Sequence, residues 1–134
     1  MGHTKKLSAK ANSIIDTVRE IILDEPRISF AFLFGSYAAD RATSLSDIDL
    51  AVYFQEMSED EKIDIEHRLW LLFDETVNVL RLEEDDISPL VRLKALEGEP
   101  ILIRNQDVLN RFTLSIIHRA TEAEVVLGRL RKIS

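Results

Sequence analysis

Residues 34–52 read FGSYAADRATSLSDIDLAV, and their spacing decides the fold. A Gly-Ser pair, Gly35 and Ser36, is followed after ten residues by two aspartates, Asp47 and Asp49, with one isoleucine between them. Side chains alternate along a strand, so in SDIDLAVYF (46–54) Asp47, Asp49 and Ala51 share one face, and Ile48, Leu50 and Val52 share the other. Upstream, RISFAFLF (27–34) is a short apolar run rich in β-formers between Pro26 and Gly35, the pattern of a buried strand. Residues 36–43 suit a short helix beginning at Ser36. Two strands joined by so short a connection predict a small mixed sheet, not a doubly wound parallel one.

Outward from this stretch the chain alternates helix and strand. Ile14, Ile15, Val18, Ile21 and Ile22 recur at helical spacing between Ser8 and Leu23, and the pattern stops at DEPR. SEDEKIDIEHRLWLLFDE opens with Ser58 three residues before Glu61, a capping box, and places Ile63, Leu69, Trp70, Leu72 and Phe73 on an expected apolar face, with Trp70 read as core. TVNVLRL (76–82) reads as a third strand. SPLVRLKALEG reads as a helix with Pro89 in its first turn and Gly98 as its stop, and PILIR as a short fourth strand. A last helix, about 106–131, carries Leu109, Phe112, Ile116, Ala120, Ala123, Leu127 and Leu130 on one stripe, with Leu114, Ile117 and Val125 outside it. The expected class is α/β (α+β): a mixed sheet of about four strands flanked by helices, in a single domain over 1–134.

Composition narrows the partners. The chain has 134 residues, 31% of them charged, and a net charge of -7. Residues 1–103 hold 11 Lys+Arg against 21 Asp+Glu, whereas 104–134 hold 6 against 3. An acidic body argues against a general nucleic-acid binder, whose affinity comes from neutralising phosphates. No stretch approaches the roughly 18 apolar residues of a transmembrane helix, and no apolar leader is evident, so a cytoplasmic protein away from membranes is expected. With no cysteine, disulfides and thiolate metal sites are excluded, leaving oxygen or histidine ligands.

Gly35 lets the backbone approach a ligand closely, a strand entering a helix start leaves free amides, and Ser36 adds a hydroxyl, a combination suited to phosphate. Two carboxylates side by side repel one another and call for a cation, and Mg²⁺ is commonly held by one or two carboxylates plus substrate phosphates. Taken singly, each feature has a plain structural alternative. Gly-Ser suits any strand-to-helix turn, and Ser46-Asp47 suits a capped turn with Asp49 facing solvent from an edge strand.

Together, glycine-serine, ten residues and Asp-x-Asp resemble the signature of the polymerase-β-like nucleotidyltransferases, in particular the minimal nucleotidyltransferases known as MNT or MntA antitoxins, partners of all-helical HEPN toxins. FAFLFGS, SDIDLAV and SPLVRLKALEGEPILIR carry the resemblance across most of the chain. It implies that Gly35 and Ser36 bind the terminal phosphates of ATP and that Asp47 and Asp49 hold Mg²⁺ and are catalytic. It further implies that AMP passes to a hydroxyl, such as that of tyrosine, on a HEPN ribonuclease toxin in a hetero-oligomeric complex. Two alternatives stay open: a weak or inactive module that neutralises its toxin by binding alone, and a transferase acting on small molecules.

The resemblance is incomplete in two places. Relatives carry a third carboxylate on the next core strand, where this chain aligns Asn78, which lacks a carboxylate's basicity. Asp74, Glu75 or the EEDD run at 83–86 could stand in only with a shifted register, and the run reads as a solvated acidic turn. Relatives often read Gly-Ser-x-Ala-Arg-Gly, whereas here Ala39 stands in the arginine's place and Arg41 follows two positions later, within reach of phosphates or facing solvent. Tyr37 is expected to pack at the turn and His67 to lie at the surface. His118 with Arg119 matches ribonuclease spacing only superficially, and His3 belongs to a frayed start.

Overall fold

A computed structural model describes residues 6–133, with side chains through Glu122. The elements in order are α1 (Ala9–Leu23), β1 (Ile28–Phe34), α2 (Gly35–Ala38), β2 (Ile48–Phe54), α3 (Glu59–Leu71), β3 (Val77–Arg81), α4 (Pro89–Leu96), β4 (Glu99–Ile103) and α5 (Gln106–Ile133). The strands form one mixed sheet in the order β3-β2-β1-β4. β1 runs antiparallel to both β2 and β4, and β2 runs parallel to β3. A parallel pair needs a long crossover, and α3 supplies it.

Alternation along the strands divides the core into two layers. Ile48, Leu50, Val52 and Phe54 of β2 join Ala31 and Leu33 of β1 against Ile14, Val18 and Ile22 of α1 and Ile65 and Leu69 of α3. The opposite face presents Phe30, Phe32 and Ala51 to Ala95 of α4 and Leu109 of α5, with Leu80, Tyr53 and Phe112 packed alongside. There the rings of Phe30, Tyr53 and Phe112 stand 4.9–5.7 Å apart and fill one end of the face. Asp49 belongs to this second face, at its other end.

The helix ends are fastened by side chains. The Ser8 hydroxyl accepts from the Ala11 amide at the start of α1, and Arg104, just past β4, donates to the Ile22 and Leu23 carbonyls at its end and to Ile28 O. Ser58 and Glu61 make the expected capping box of α3. Glu61 also pairs with Arg27. Arg27 and the Ser58 amide hold the Glu61 carboxyl down at about 2, below its usual 4.5.

Several expectations need correction. α3 buries Ile65 and Leu69, while Trp70 is 49% exposed and Ile63 and Leu72 also face outward. The helix rests on α1 and the sheet through a narrower stripe than its apolar content implies, and Trp70 lies against the exposed His67 ring at 5.2 Å. The EEDD run is not uniformly solvated: Glu83 accepts from the Phe54 amide at 3.1 Å and pairs with Lys62 at 2.7 Å, and Glu84 pairs with Arg81. Only Asp85 and Asp86 fit the expected solvated turn. On α5, Leu109, Ile116 and Ala120 are buried with Phe112 half-buried, and Leu114 and Ile117 are exposed. Ala123, Val125, Leu127 and Leu130 lie outside the described side chains, as does His3 outside the described residues.

Substituting Leu50→Ala, at a fully buried position, is expected to cost about 2–5 kcal/mol, and Trp70→Ala under about 1 kcal/mol, in denaturant melts. The acid limb tests the Arg27–Glu61 clamp. Because the Glu61 carboxyl is held low in the fold, its contribution is complete above about 4.5 and is lost as pH falls toward about 2. Glu61→Gln should therefore flatten the loss of stability across that window in acid titrations.

Candidate functional site

The register of three strands assembles the site. Phe34, the last residue of β1, pairs with Asp49 on β2, and Asp49 pairs with Asn78 on β3. The residue after Phe34 must therefore pass beside the Asp49 carboxylate. That residue is Gly35, whose φ of 72° lies in the left-handed region. A Cβ there would collide with Asp49 Oδ2 and stand 3.1 Å from Cγ. Gly35 also begins α2, whose cap residue Phe34 makes no side-chain hydrogen bond. The first amides of a helix have no acceptor within it, so those of α2 are available to a ligand.

Asp47 sits one residue before β2 and is exposed, while Asp49 is half-buried. The Asn78 Nδ2 atom donates to Asp47 Oδ2 and to Asp49 Oδ1, each at 3.2 Å. One amide thus bridges two like charges and offsets their repulsion; turned about its last torsion, the same amide presents its oxygen. The capped turn weighed from sequence exists, since Ser46 Oγ accepts from the Thr43 amide at 2.8 Å. The edge-strand alternative fails, because β2 is an inner strand and Asp49 faces the glycine turn.

Beside Gly35 and Ser36 opens a cleft of about 430 Å³, lined also by Ala39, Arg41, Lys94, Glu97 and Gly98. Arg41 therefore lines the cleft, and Tyr37 is buried, as packing at the turn requires. Among the described residues no other carboxylate joins the aspartates: Glu75 pairs with Lys10, Glu83 with Lys62 and Glu84 with Arg81. Among the described residues no group of three or more His, Asp or Glu is disposed to hold a metal. His118 is exposed and faces Glu122 at 3.1 Å, far along α5. Sequence reading put Asn78 on the strand where the register sets it beside Asp49, but gave no sign of its double hydrogen bond to the aspartates or of Lys94 lining the cleft, since both depend on how elements dock.

A family model described as polymerase beta, nucleotidyltransferase, matches residues 16–107, which contain Gly35, Ser36, Asp47, Asp49 and Asn78. The chain belongs to the polymerase-β nucleotidyltransferase family. Its fold is shared with a chain of a toxin–antitoxin crystal structure with AMP-PNP, at 19% identity over 87% of this chain and 98% of that one, with a TM-score of 0.67. A toxin–antitoxin MntA-HepT structure matches at 16% over 90% and 98%, with a TM-score of 0.63. A tri-AMPylated Shewanella oneidensis HEPN toxin in complex with MNT antitoxin matches at 17% over 90% and 98%, with a TM-score of 0.64. No curated protein matches the chain.

Gly35→Ala must take either a left-handed backbone, costing about 1–2 kcal/mol, or a displaced Asp49. It is expected to melt slightly below the parent chain and to lose nucleotide binding by more than this small destabilisation explains, as measured by calorimetric titration with ATP.

Proposed function

We propose that this protein is an antitoxin-type protein adenylyltransferase, which moves AMP from ATP to a hydroxyl of a HEPN toxin and so neutralises it. The observation that carries the reading is the convergence of Asp47 and Asp49, bridged by Asn78, on the Gly35 turn. Family membership supports nucleotidyl transfer. The choice of a HEPN toxin as acceptor draws support from the toxin–antitoxin complexes that share the fold.

The donor set fits Mg²⁺. Two hard carboxylates on one face, with no third acidic ligand among the described residues, leave the remaining positions to phosphate oxygens and water, as that ion prefers. When bound there by Asp47 and Asp49, it would neutralise phosphate charge and polarise the phosphoryl group. The amides at Gly35 and Ser36, with the Ser36 hydroxyl, hold the terminal phosphates so that the α-phosphate lies toward the aspartates. Positioning of this kind supplies much of the catalysis in phosphoryl transfer.

In the transfer step the acceptor oxygen bonds to the α-phosphorus and the bond from that phosphorus to the bridging oxygen breaks. Pyrophosphate leaves, and the hydroxyl proton passes to solvent. Asn78 provides no base for that proton. An aliphatic hydroxyl would suffer most from this lack, whereas a phenol ionises near pH 10. The missing carboxylate therefore favours tyrosine as the acceptor.

Incubating the toxin with this protein, ATP and Mg²⁺ should add adenylyl mass to the toxin, read by intact-mass spectrometry. Asp47→Asn and Asp49→Asn should each slow the transfer at least about 100-fold. Asn78→Asp should speed it, most of all toward a serine placed at the acceptor position. Inhibition of the toxin with no mass added would instead establish neutralisation by complex formation alone.

A further inference from the structure

We infer that Asn78 is a placeholder for the cation at Asp47 and Asp49: it holds the pair together whenever no metal is bound, and so makes metal binding depend on the nucleotide that brings it. The inference rests on the reading of that pair as a metal site for nucleotide transfer. Asn78 Nδ2 donates to Asp47 Oδ2 and to Asp49 Oδ1, each at 3.2 Å, which uses both hydrogens of the amide, one on each carboxylate. Its surroundings dictate its direction, because the amide oxygen turned the same way would meet only acceptors. Register keeps it in place, since Asn78 is the β3 residue paired with Asp49. The residue is otherwise exposed, so these two bonds, not packing, set its side chain.

Among the described residues no charged group neutralises the pair. The ion pairs draw lysines and arginines to other carboxylates, and none involves Asp47 or Asp49. The two oxygens that Asn78 engages are the hard ligands a divalent cation takes, so the cation and the amide hydrogens compete for them. A cation arriving alone must displace two charge-assisted hydrogen bonds before it gains the pair. The other oxygen of Asp49, Oδ2, faces Gly35, at the turn whose amides suit phosphate. A cation already carried by a triphosphate therefore meets an oxygen that Asn78 leaves free, and it brings further oxygens of its own. Asn78 then yields the pair by rotating about its last torsion.

A carboxylate at this position would act in the opposite sense. It would add a third like charge to the metal-free protein and hold metal with or without nucleotide. Asparagine in its place leaves a site assembled anew with each nucleotide. Asn78 is thus a positioning residue, acting on the metal and the donor through the two aspartates.

Metal binding to the full chain without nucleotide tests this, with Mn²⁺ as the probe and its free fraction counted by electron paramagnetic resonance, alongside melting in chelator and in excess Mg²⁺. Asn78→Ala should bind Mn²⁺ about tenfold more tightly than the parent, the scale of one charge-assisted hydrogen bond no longer displaced. Asn78→Asp should bind it more tightly still, and Asp47→Asn added to Asn78→Ala should abolish the gain. In chelator Asn78→Ala should melt below the parent, and the difference should shrink in Mg²⁺, because the cation then takes over the bridging. An asparagine with a structural role alone would lower both melts equally, and that result would overturn the placeholder. Equal or weaker Mn²⁺ binding by Asn78→Ala, in a protein that adenylylates its toxin, would also overturn it and leave the proposed activity standing. Tighter binding that Asp47→Asn abolishes, in a protein that transfers no AMP, would keep the placeholder and overturn the activity. Absence of Mn²⁺ binding in the parent, Asn78→Ala and Asn78→Asp alike would overturn the placeholder and with it the assignment of the pair to a divalent cation.

Discussion

Everything at the site depends on holding two carboxylates side by side at the point where β1 ends. Like charges placed side by side repel one another unless something compensates. The fold compensates locally: Asn78 donates to both from the neighbouring strand, and Gly35 clears space against Asp49 without contributing a side chain. Neither device works without the register that pairs Phe34 with Asp49 and Asp49 with Asn78. A slip of one residue in β2 would turn both aspartates into the α1–α3 layer and bring Ile48 and Leu50 out to the glycine turn. Burying carboxylates in an apolar layer is costly enough to exclude that alternative. The same alternation that builds the core therefore fixes the chemistry.

The second face of the sheet divides its length between two tasks. At one end Phe30, Tyr53 and Phe112 close it with aromatic contacts; at the other, Asp49 lies against the Gly35 turn and accepts from Asn78. Between them lie the small Ala51 and Leu80, and α4 covers this stretch. Arg92 of α4 is only 3% exposed, its Nε and Nη2 atoms lack a hydrogen-bond partner, and it stands over the Phe112 ring at 5.8 Å. A guanidinium keeps its charge even when buried, and the ring's negative face offsets part of the cost of desolvating it. α4 thus carries a buried cation at the aromatic end and an exposed one, Lys94, at the cleft beside Gly35.

Most of this architecture was legible because it is written in short-range patterns. The alternation of SDIDLAVYF, the Ser58–Glu61 capping box and the placement of Pro89 and Gly98 each specify local geometry through sterics or a hydrogen bond three residues away, and the elements form where those signals stand. What was not legible depends on how elements dock. Trp70 lies in an apolar run, but the side of α3 that meets the sheet is set by Ile65 and Leu69, which leaves the indole outside. Glu83 reads as part of an acidic run, and only the proximity of Lys62 and the Phe54 amide makes it structural. Lys94 gives no local sign of its position, because that position depends on the approach of Gly98 to a carbonyl 65 residues earlier in the chain.

The cleft beside Gly35 offers amides and cations within an otherwise acidic protein, and the short range of screened electrostatics reconciles the two. At physiological ionic strength, fields between exposed groups are screened over about 8 Å. The excess carboxylates on α3 and the turns are therefore felt weakly at the cleft, and many are already matched by lysine or arginine neighbours. Groups in contact with a ligand escape that screening. Free amides at the start of α2 and the two cations lining the cleft, Arg41 and Lys94, face a single carboxylate there, that of Glu97. The residual negative charge then acts elsewhere: it disfavours long nucleic-acid backbones, whose many phosphates cannot all lie within one small cleft.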